Sequence, residues 1–87
     1  MDDQFLLSAL EESARQLAIE IRYENVENQG ALCRIQGKKI LIVSDYLPLK
    51  MKVKIVAEQL ALLETDHIYL IPQIRELLNQ YQKDEFI

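Results

Sequence analysis

Residues 30–63 read GALCRIQGKKILIVSDYLPLKMKVKIVAEQLALL, and they carry the two patterns on which the fold prediction rests. Every second residue from Ala31 to Ile35 belongs to one side of an alternating segment, Gly37 interrupts it, and residues 40–43 then form an apolar run. Alternation, a short glycine-containing break and a second β-rich run predict two antiparallel strands. Because the second run does not alternate, we expect a central strand that is covered on both faces or whose outer face meets another chain.

The segment after Pro48 predicts a long helix with two apolar stripes. Proline is tolerated at the first helical position, where its missing N–H would have had no partner. One stripe recurs at helical spacing and is expected to lie on the sheet; it consists of Leu49, Val53, Val56, Ala57, Leu60 and Leu63. A second, narrower stripe on roughly the opposite side consists of Met51, Ile55 and Leu62. A helix on a small sheet needs only one stripe, so the second is expected to be buried under another helix, buried in an oligomer or exposed as a binding patch.

The rest of the chain completes an α+β pattern in a single domain, residues 1–87. Asp2 and Asp3 offer N-cap side chains to a first helix, and Pro72 is placed to begin a last one. We predict a three-stranded, mostly antiparallel sheet (about residues 19–24, 31–36 and 39–43) packed with helices (about residues 3–17, 48–64 and 72–82). Residues 68–71 are expected to form either a short edge strand or an extended plug.

Length and composition exclude several classes of protein. The chain has 87 residues, of which 49% are apolar, which argues against disorder. Its one cysteine cannot form an internal disulfide, and no apolar run approaches the roughly 18 residues of a membrane span. With no signal peptide either, we expect a cytoplasmic protein that does not engage a membrane.

The charges are distributed unevenly along the chain. The net charge is −4, which disfavours nucleic acid as a partner, yet residues 34–54 hold six of the ten basic residues and one acidic residue. These six, the candidate anion-binding residues, are Arg34, Lys38, Lys39, Lys50, Lys52 and Lys54. Three of them stand near the positive end of the helix dipole, where cations are disfavoured. The alternative interpretation is a solvated face that nearby acids balance.

The sequence contains no signature of catalysis, of a metal site or of a cofactor site. His67, the one histidine, follows Asp66, but no nucleophile is placed beside them. Cys33 is in phase with Ala31 and Ile35, so we expect a small buried apolar residue. One histidine and one cysteine are too few for an ordinary structural zinc site. We therefore predict no catalytic residues, no bound metal and no cofactor.

Two resemblances add to this interpretation. The chain resembles a family of small uncharacterised bacterial proteins, a likeness that brings no known activity. It rests on Gly30, Leu32, Cys33, Arg34, Gly37, Ile40 to Ile42, Leu47, Pro48, Ala57, Glu58, Leu60, Pro72, Ile74 and Arg75. More distantly, a hairpin followed by a helix with Ala57, Glu58 and Ala61 is similar to the core of the ImmA/IrrE metallopeptidases, whose equivalent helix bears HExxH. That resemblance implies a degenerate relative without zinc, because only the glutamate matches.

These patterns lead to competing hypotheses for function. The preferred one is a non-catalytic protein that forms a homodimer or binds another protein through Met51, Ile55 and Leu62. The alternatives are an anion- or nucleic-acid-binding protein that uses the basic hairpin and helix start, and a degenerate, metal-free metallopeptidase-like domain. An enzyme would need an acid or base among Glu58, His67 and Asp45, and the sequence gives no reason for these to come together.

Overall fold

The computed structural model describes residues 2–83 and shows three helices and one three-stranded sheet within that range. In chain order the elements are α1 (Asp3–Gln16), β1 (Ile19–Glu24), β2 (Gly30–Ile35), β3 (Lys38–Ser44), α2 (Leu49–Ala61) and α3 (Pro72–Lys83). The α+β prediction is confirmed, with element boundaries close to the predicted ones.

The strand order is β1-β3-β2, so β3 is the central strand. It pairs antiparallel with β2, as the hairpin pattern predicts, and parallel with β1. The parallel pairing arises because residues 25–29 carry the chain past the β3 position to the far edge of the sheet, and β3 then fills the gap. The sheet is therefore mixed, with one parallel pair and one antiparallel pair.

The two faces of the sheet have different surroundings. The helix face includes Ile19, Leu41 and Val43, which are buried in the same core cluster as residues of all three helices. Because directly paired residues share a face, the register places on the opposite, open face the side chains of Glu20, Arg22, Ala31, Cys33, Ile35, Ile40 and Ile42. The molecule therefore has two layers, with the helices on one side of the sheet.

The core lies between the helix face and the helices. The predicted sheet-facing residues Val53, Val56 and Leu60 of α2 are buried, and Ile74 and Leu78 anchor α3 beside them. Residues 68–71 form no strand; Leu70 is buried with the core and the segment is an extended plug. This outcome resolves the alternatives left open by the sequence.

Local signals at the chain turns agree with the sequence. The Asp2 carboxylate accepts a hydrogen bond of 2.8 Å from the Phe5 N–H and caps α1. Pro48 stands at the N-cap of α2, one residue before the helix begins. The two residues that join β2 to β3, Gln36 and Gly37, have φ of 52° and 80°. Positive φ at both positions is the property of a type I′ turn, which favours a tight hairpin.

The protein is expected to be more stable with glycine in place of Ala18, the second residue after α1. The φ of Ala18 is 61°, and its N–H donates to the Arg15 carbonyl, so it occupies the left-handed position after the C-cap residue Leu17, which glycine prefers. Ala18→Gly is expected to raise the free energy of unfolding by about 0.5 to 1 kcal/mol in a urea titration, because the Cβ penalty disappears. The control, Ala9→Gly inside α1, is expected to lower it by about the same amount. Destabilisation by both variants would contradict the C-cap assignment.

Candidate functional site

β2 is an edge strand, since among residues 2–83 only β3 pairs with it. The Ser44 N–H donates to the Gln29 carbonyl over 2.9 Å, which sets the alternation of the antiparallel ladder. Residues 31, 33 and 35 consequently direct their backbone groups toward β3. Gly30, Leu32 and Arg34 direct theirs outward. β2 thus presents a row of backbone donors and acceptors to any strand that approaches from outside.

The two edges of the sheet differ in how they are protected. On β1, the open face carries Glu20, Arg22 and Glu24, charged side chains of the kind that block edge-to-edge pairing. On β2 the same face carries only Ala31, Cys33 and Ile35. β2 also has no proline and only one charged residue, Arg34. The chemistry of the sequence therefore protects β1 against strand addition and leaves β2 available.

The second stripe of α2 faces the β2 side of the molecule. Ile55 lies close to β2. A Cβ atom added to Gly30 would be 3.3 Å from the Cγ2 atom of Ile55. Ile55 is only 6% exposed and belongs to the core, which corrects the expectation that it lies on the outer side of the helix. Met51 and Leu62 lie on the same side of α2 at helical spacing; Met51 is half-buried and Leu62 is 59% exposed. Of the three residues in the predicted stripe, Ile55 is therefore buried, and Met51 and Leu62 are at least partly accessible.

Three of the exposed large apolar side chains belong to this surface, whereas Phe5, Tyr46, Leu49 and Tyr69 are exposed outside it. Leu32 is 36% exposed and Ile35 is 47% exposed, and Leu62 extends the apolar surface onto α2. We call the surface made of β2 together with Met51 and Leu62 the β2 flank. It combines unpaired backbone groups with apolar side chains, the two requirements for adding a strand.

The predicted anion-binding residues are not brought together. Lys38 and Lys39 begin β3, whereas Lys50 and Lys54, both exposed, belong to the helix that follows the other end of that strand. A seven-residue strand spans about 20 Å, so the two groups lie near opposite ends of the sheet. The six residues therefore do not surround one compact site.

Two of these lysines already have partners. Lys52 has a side chain only 18% exposed; its Nζ lies 3.5 Å from Asp45 Oδ1 and 5.4 Å from the centroid of the Tyr23 ring. Lys38 Nζ lies 2.6 Å from Glu20 Oε1. Hydrogen bonds from Arg22, and then from Lys38, lower the pKa of Glu20 to about 2. These lysines neutralise acids of their own chain, as the solvated-face interpretation predicts.

Arg34 and Lys39 remain as a pair. They lie directly opposite each other on the helix face of the β2–β3 hairpin, and both are exposed. No ion pair or side-chain hydrogen bond involves either of them within residues 2–83. Like charges directly across an antiparallel pair are destabilising, so this juxtaposition has a cost that no contact among residues 2–83 offsets.

The candidate chemical groups are dispersed. His67 is exposed in a turn, and Glu58 is exposed on α2, whereas Ala57 and Ala61, at the positions of the HExxH histidines, are buried. Within the described residues no group of three or more histidine, cysteine or acidic side chains is placed to hold a metal ion. Cys33 is half-buried on the open face, which differs from the expected buried position. No described arrangement joins a nucleophile to a base.

One buried acid–phenol contact has a structural role. The Tyr23 hydroxyl donates a hydrogen bond to Glu11 and joins β1 to α1. Burial of the ring, and then this hydrogen bond, raise the pKa of Tyr23 far above its usual value. The raised pKa favours the protonated phenol, which donates the hydrogen bond that ties β1 to α1.

Comparisons with known proteins do not assign the chain to a family. No protein-family model matches it, and the searches of curated proteins and of solved structures found no match. Within the described residues, no helix combines the length and apolar character required to cross a bilayer. Any proposal for function therefore rests on the geometry of the β2 flank and its surroundings.

Proposed function

We propose that this chain is a non-catalytic protein that self-associates, with the β2 strands of two copies pairing antiparallel across a two-fold axis. The observation that supports it is the β2 flank: outward N–H and C=O groups on Gly30, Leu32 and Arg34 next to exposed Leu32, Ile35 and Leu62. A two-fold axis perpendicular to the sheet would extend three strands to six. All the helices would then lie on one side, as in many homodimers with isologous interfaces.

The side chains favour a register centred on Cys33. In that register Arg34 stands opposite Leu32 of the second copy, and Ile35 stands opposite Ala31 of the second copy. Centring the pair on Arg34 would oppose two guanidinium groups, which is unfavourable. Centring it on Leu32 would place the exposed Ile35 opposite the polar Gln29. The Cys33 register therefore keeps the like charges apart and covers the largest exposed side chain of β2.

The α2 helix adds to this interface. Because Ile55 packs on Gly30, the side of α2 that also carries Met51 and Leu62 faces the β2 edge. A six-residue strand alone buries less than the about 800 Å² per partner of a typical specific complex. The contribution of α2 is therefore required for a stable dimer, and we expect an association that dissociates on dilution.

The single cysteine bears on the compartment in which the protein works. One cysteine, half-buried on the open face, fits a reducing compartment such as the cytoplasm of a bacterium. A different protein that supplies an extended edge strand would satisfy the same backbone groups. In that case the chain would be monomeric alone, and the mass measurement below separates the two occupants.

Leu32→Pro tests the interface with little effect on the fold. The N–H of Leu32 points outward, so proline removes a donor for the second copy and no donor of the β2–β3 ladder, a position at which edge strands tolerate proline. Light scattering over a dilution series is expected to show a concentration-dependent dimer for the wild-type protein and a monomer for Leu32→Pro.

Leu32→Thr is the matched control for this variant. It removes the apolar side chain, keeps the N–H and retains high β propensity. We expect it to dimerise with an affinity reduced by about tenfold, as a loss of about 1.4 kcal/mol implies. Circular dichroism verifies that both variants are folded. A folded Leu32→Pro variant that dimerises as strongly as the wild-type protein would contradict the proposal.

A further inference from the structure

A cleft lies at the end of the sheet where α1 finishes and the β2–β3 turn projects. It encloses about 800 Å³, within the range of about 300 to 1,000 Å³ typical of small-molecule sites. Its apolar walls are Leu17, Ile19 and Ile21, and its charged rim includes Lys39. None of the residues that line this cleft belongs to the β2 flank.

The acids that line the cleft are already engaged. Glu20 forms an ion pair with Lys38 and Arg22, and Glu11 accepts the hydrogen bond of the Tyr23 hydroxyl. Neither carboxylate forms an ion pair with Lys39 within residues 2–83.

Carbonyl groups at the C-terminus of α1 already accept hydrogen bonds within the chain. The N–H groups of Leu17 and Ala18 donate to the carbonyls of Ser13, Ala14 and Arg15. These carbonyl groups would otherwise favour a cation.

Lys39 belongs both to the lining of the cleft and to the pair of like charges that it forms with Arg34. It is directly opposite Ile19 on the β1 side and directly opposite Arg34 on the β2 side. An apolar group resting on Ile19 and Ile21 could therefore extend an anionic end to Lys39, one strand spacing of about 4.8 Å away. Arg34 is one strand spacing further, outside the lining of the cleft, and its long side chain could reach the same anion from there. An anion at this position would remove the repulsion between the two cations.

We propose that the cleft binds a small amphipathic anion, an apolar body that carries one carboxylate or phosphate group. The apolar body occupies the space between Leu17, Ile19 and Ile21, and the anionic group contacts the Lys39 ammonium and the Arg34 guanidinium. This binding needs one copy of the chain, and Arg34 is the one residue that it shares with the β2 flank.

The test uses octanoate, below the concentration at which it aggregates, as the probe in ¹H–¹⁵N spectra of the full chain. Saturable shifts are expected for the amides of residues 19–21 and 37–39. Octyltrimethylammonium tests whether the charge is selected, and acetate tests the anionic group alone; both are expected to cause at least tenfold weaker responses. An equal response to the cation, or no response to octanoate, would overturn the proposal.

Three variants locate the anionic group. Lys39→Glu is expected to weaken octanoate binding at least tenfold, and Lys39→Arg is expected to retain it. Lys50→Glu makes the same charge change on an exposed lysine near the other end of the sheet and is expected to bind as the wild-type protein does. Binding by Lys39→Glu equal to that of the wild-type protein would exclude this site.

A fourth variant separates this site from the interface. Leu32→Pro is expected to bind octanoate as a monomer. The site and the dimer can then fail independently.

Discussion

Ile55→Asp is expected to unfold the protein. Ile55 is 6% exposed, lies in the core and packs on the backbone of Gly30, so the substitution both removes a large apolar side chain and places a carboxylate where water is excluded. Truncation of a buried isoleucine alone costs about 2 to 5 kcal/mol, and an unpaired buried carboxylate adds several more. A domain of this size is stable by only about 4 to 13 kcal/mol. Circular dichroism and chemical denaturation are expected to show loss of the cooperative transition at pH 7.

Leu62→Asp is the matched control for this prediction. Leu62 lies on the same side of α2, but it is 59% exposed. The carboxylate remains in water there, and we expect a change in the free energy of unfolding within about 0.5 kcal/mol, with weaker self-association. A folded, stable Ile55→Asp variant would show that Ile55 lies outside the core.

Gly30→Ala is expected to have the second largest effect. An added Cβ would lie 2.7 Å from the Ile42 carbonyl oxygen, a backbone atom, and 3.3 Å from Ile55 Cγ2. The strand must shift to relieve the first contact, and α2 must move to relieve the second. Overpacking of this kind costs about 1 to 3 kcal/mol, measurable as a lower midpoint in urea denaturation.

Ala31→Val provides a comparison one residue away. Ala31 is exposed on the open face, where added volume meets no helix, and β-branched residues favour strands. Its free energy of unfolding is expected to stay within about 0.5 kcal/mol of the wild-type value. Equal stability of Gly30→Ala and Ala31→Val would contradict the close approach of β2 to α2.

The sequence was sufficient to predict the elements, because each has a strong local signal. Asp2 and Pro48 mark the starts of two helices, Gly37 marks the hairpin turn, and the non-alternating run 40–43 indicates the central strand. These signals arise from backbone geometry and hydrophobic periodicity within a few residues. The structure confirms all four.

The sequence could not specify the arrangement of the strands. The parallel pairing of β1 with β3 depends on residues 25–29 passing the central position, and a short polar loop serves either pairing equally well. Ile55 illustrates the consequence. With β2 on the far edge, α2 leans over Gly30, and a side chain assigned to the outer stripe becomes buried.

The candidate site also depends on tertiary structure, namely on ion pairs and on the strand register. Six basic residues within positions 34–54 left open an anion site or a solvated face, and pairing with Glu20 and Asp45 engages Lys38 and Lys52. Only the strand register reveals that Arg34 and Lys39 are directly opposite. The sequence could not predict that β2 is an edge strand either, because an edge strand and an inner strand with the same alternation differ only in their neighbours.

Amide hydrogen exchange on β2 tests the central claim, pairing of β2 between two copies, most directly. The N–H groups of Leu32 and Arg34 point away from β3, and those of Ala31 and Cys33 point toward it. We expect Ala31 and Cys33 to be protected at every protein concentration, and Leu32 and Arg34 to become protected as the concentration rises. Fast exchange of Leu32 and Arg34 at all concentrations, with Ala31 and Cys33 protected throughout, would contradict the claim.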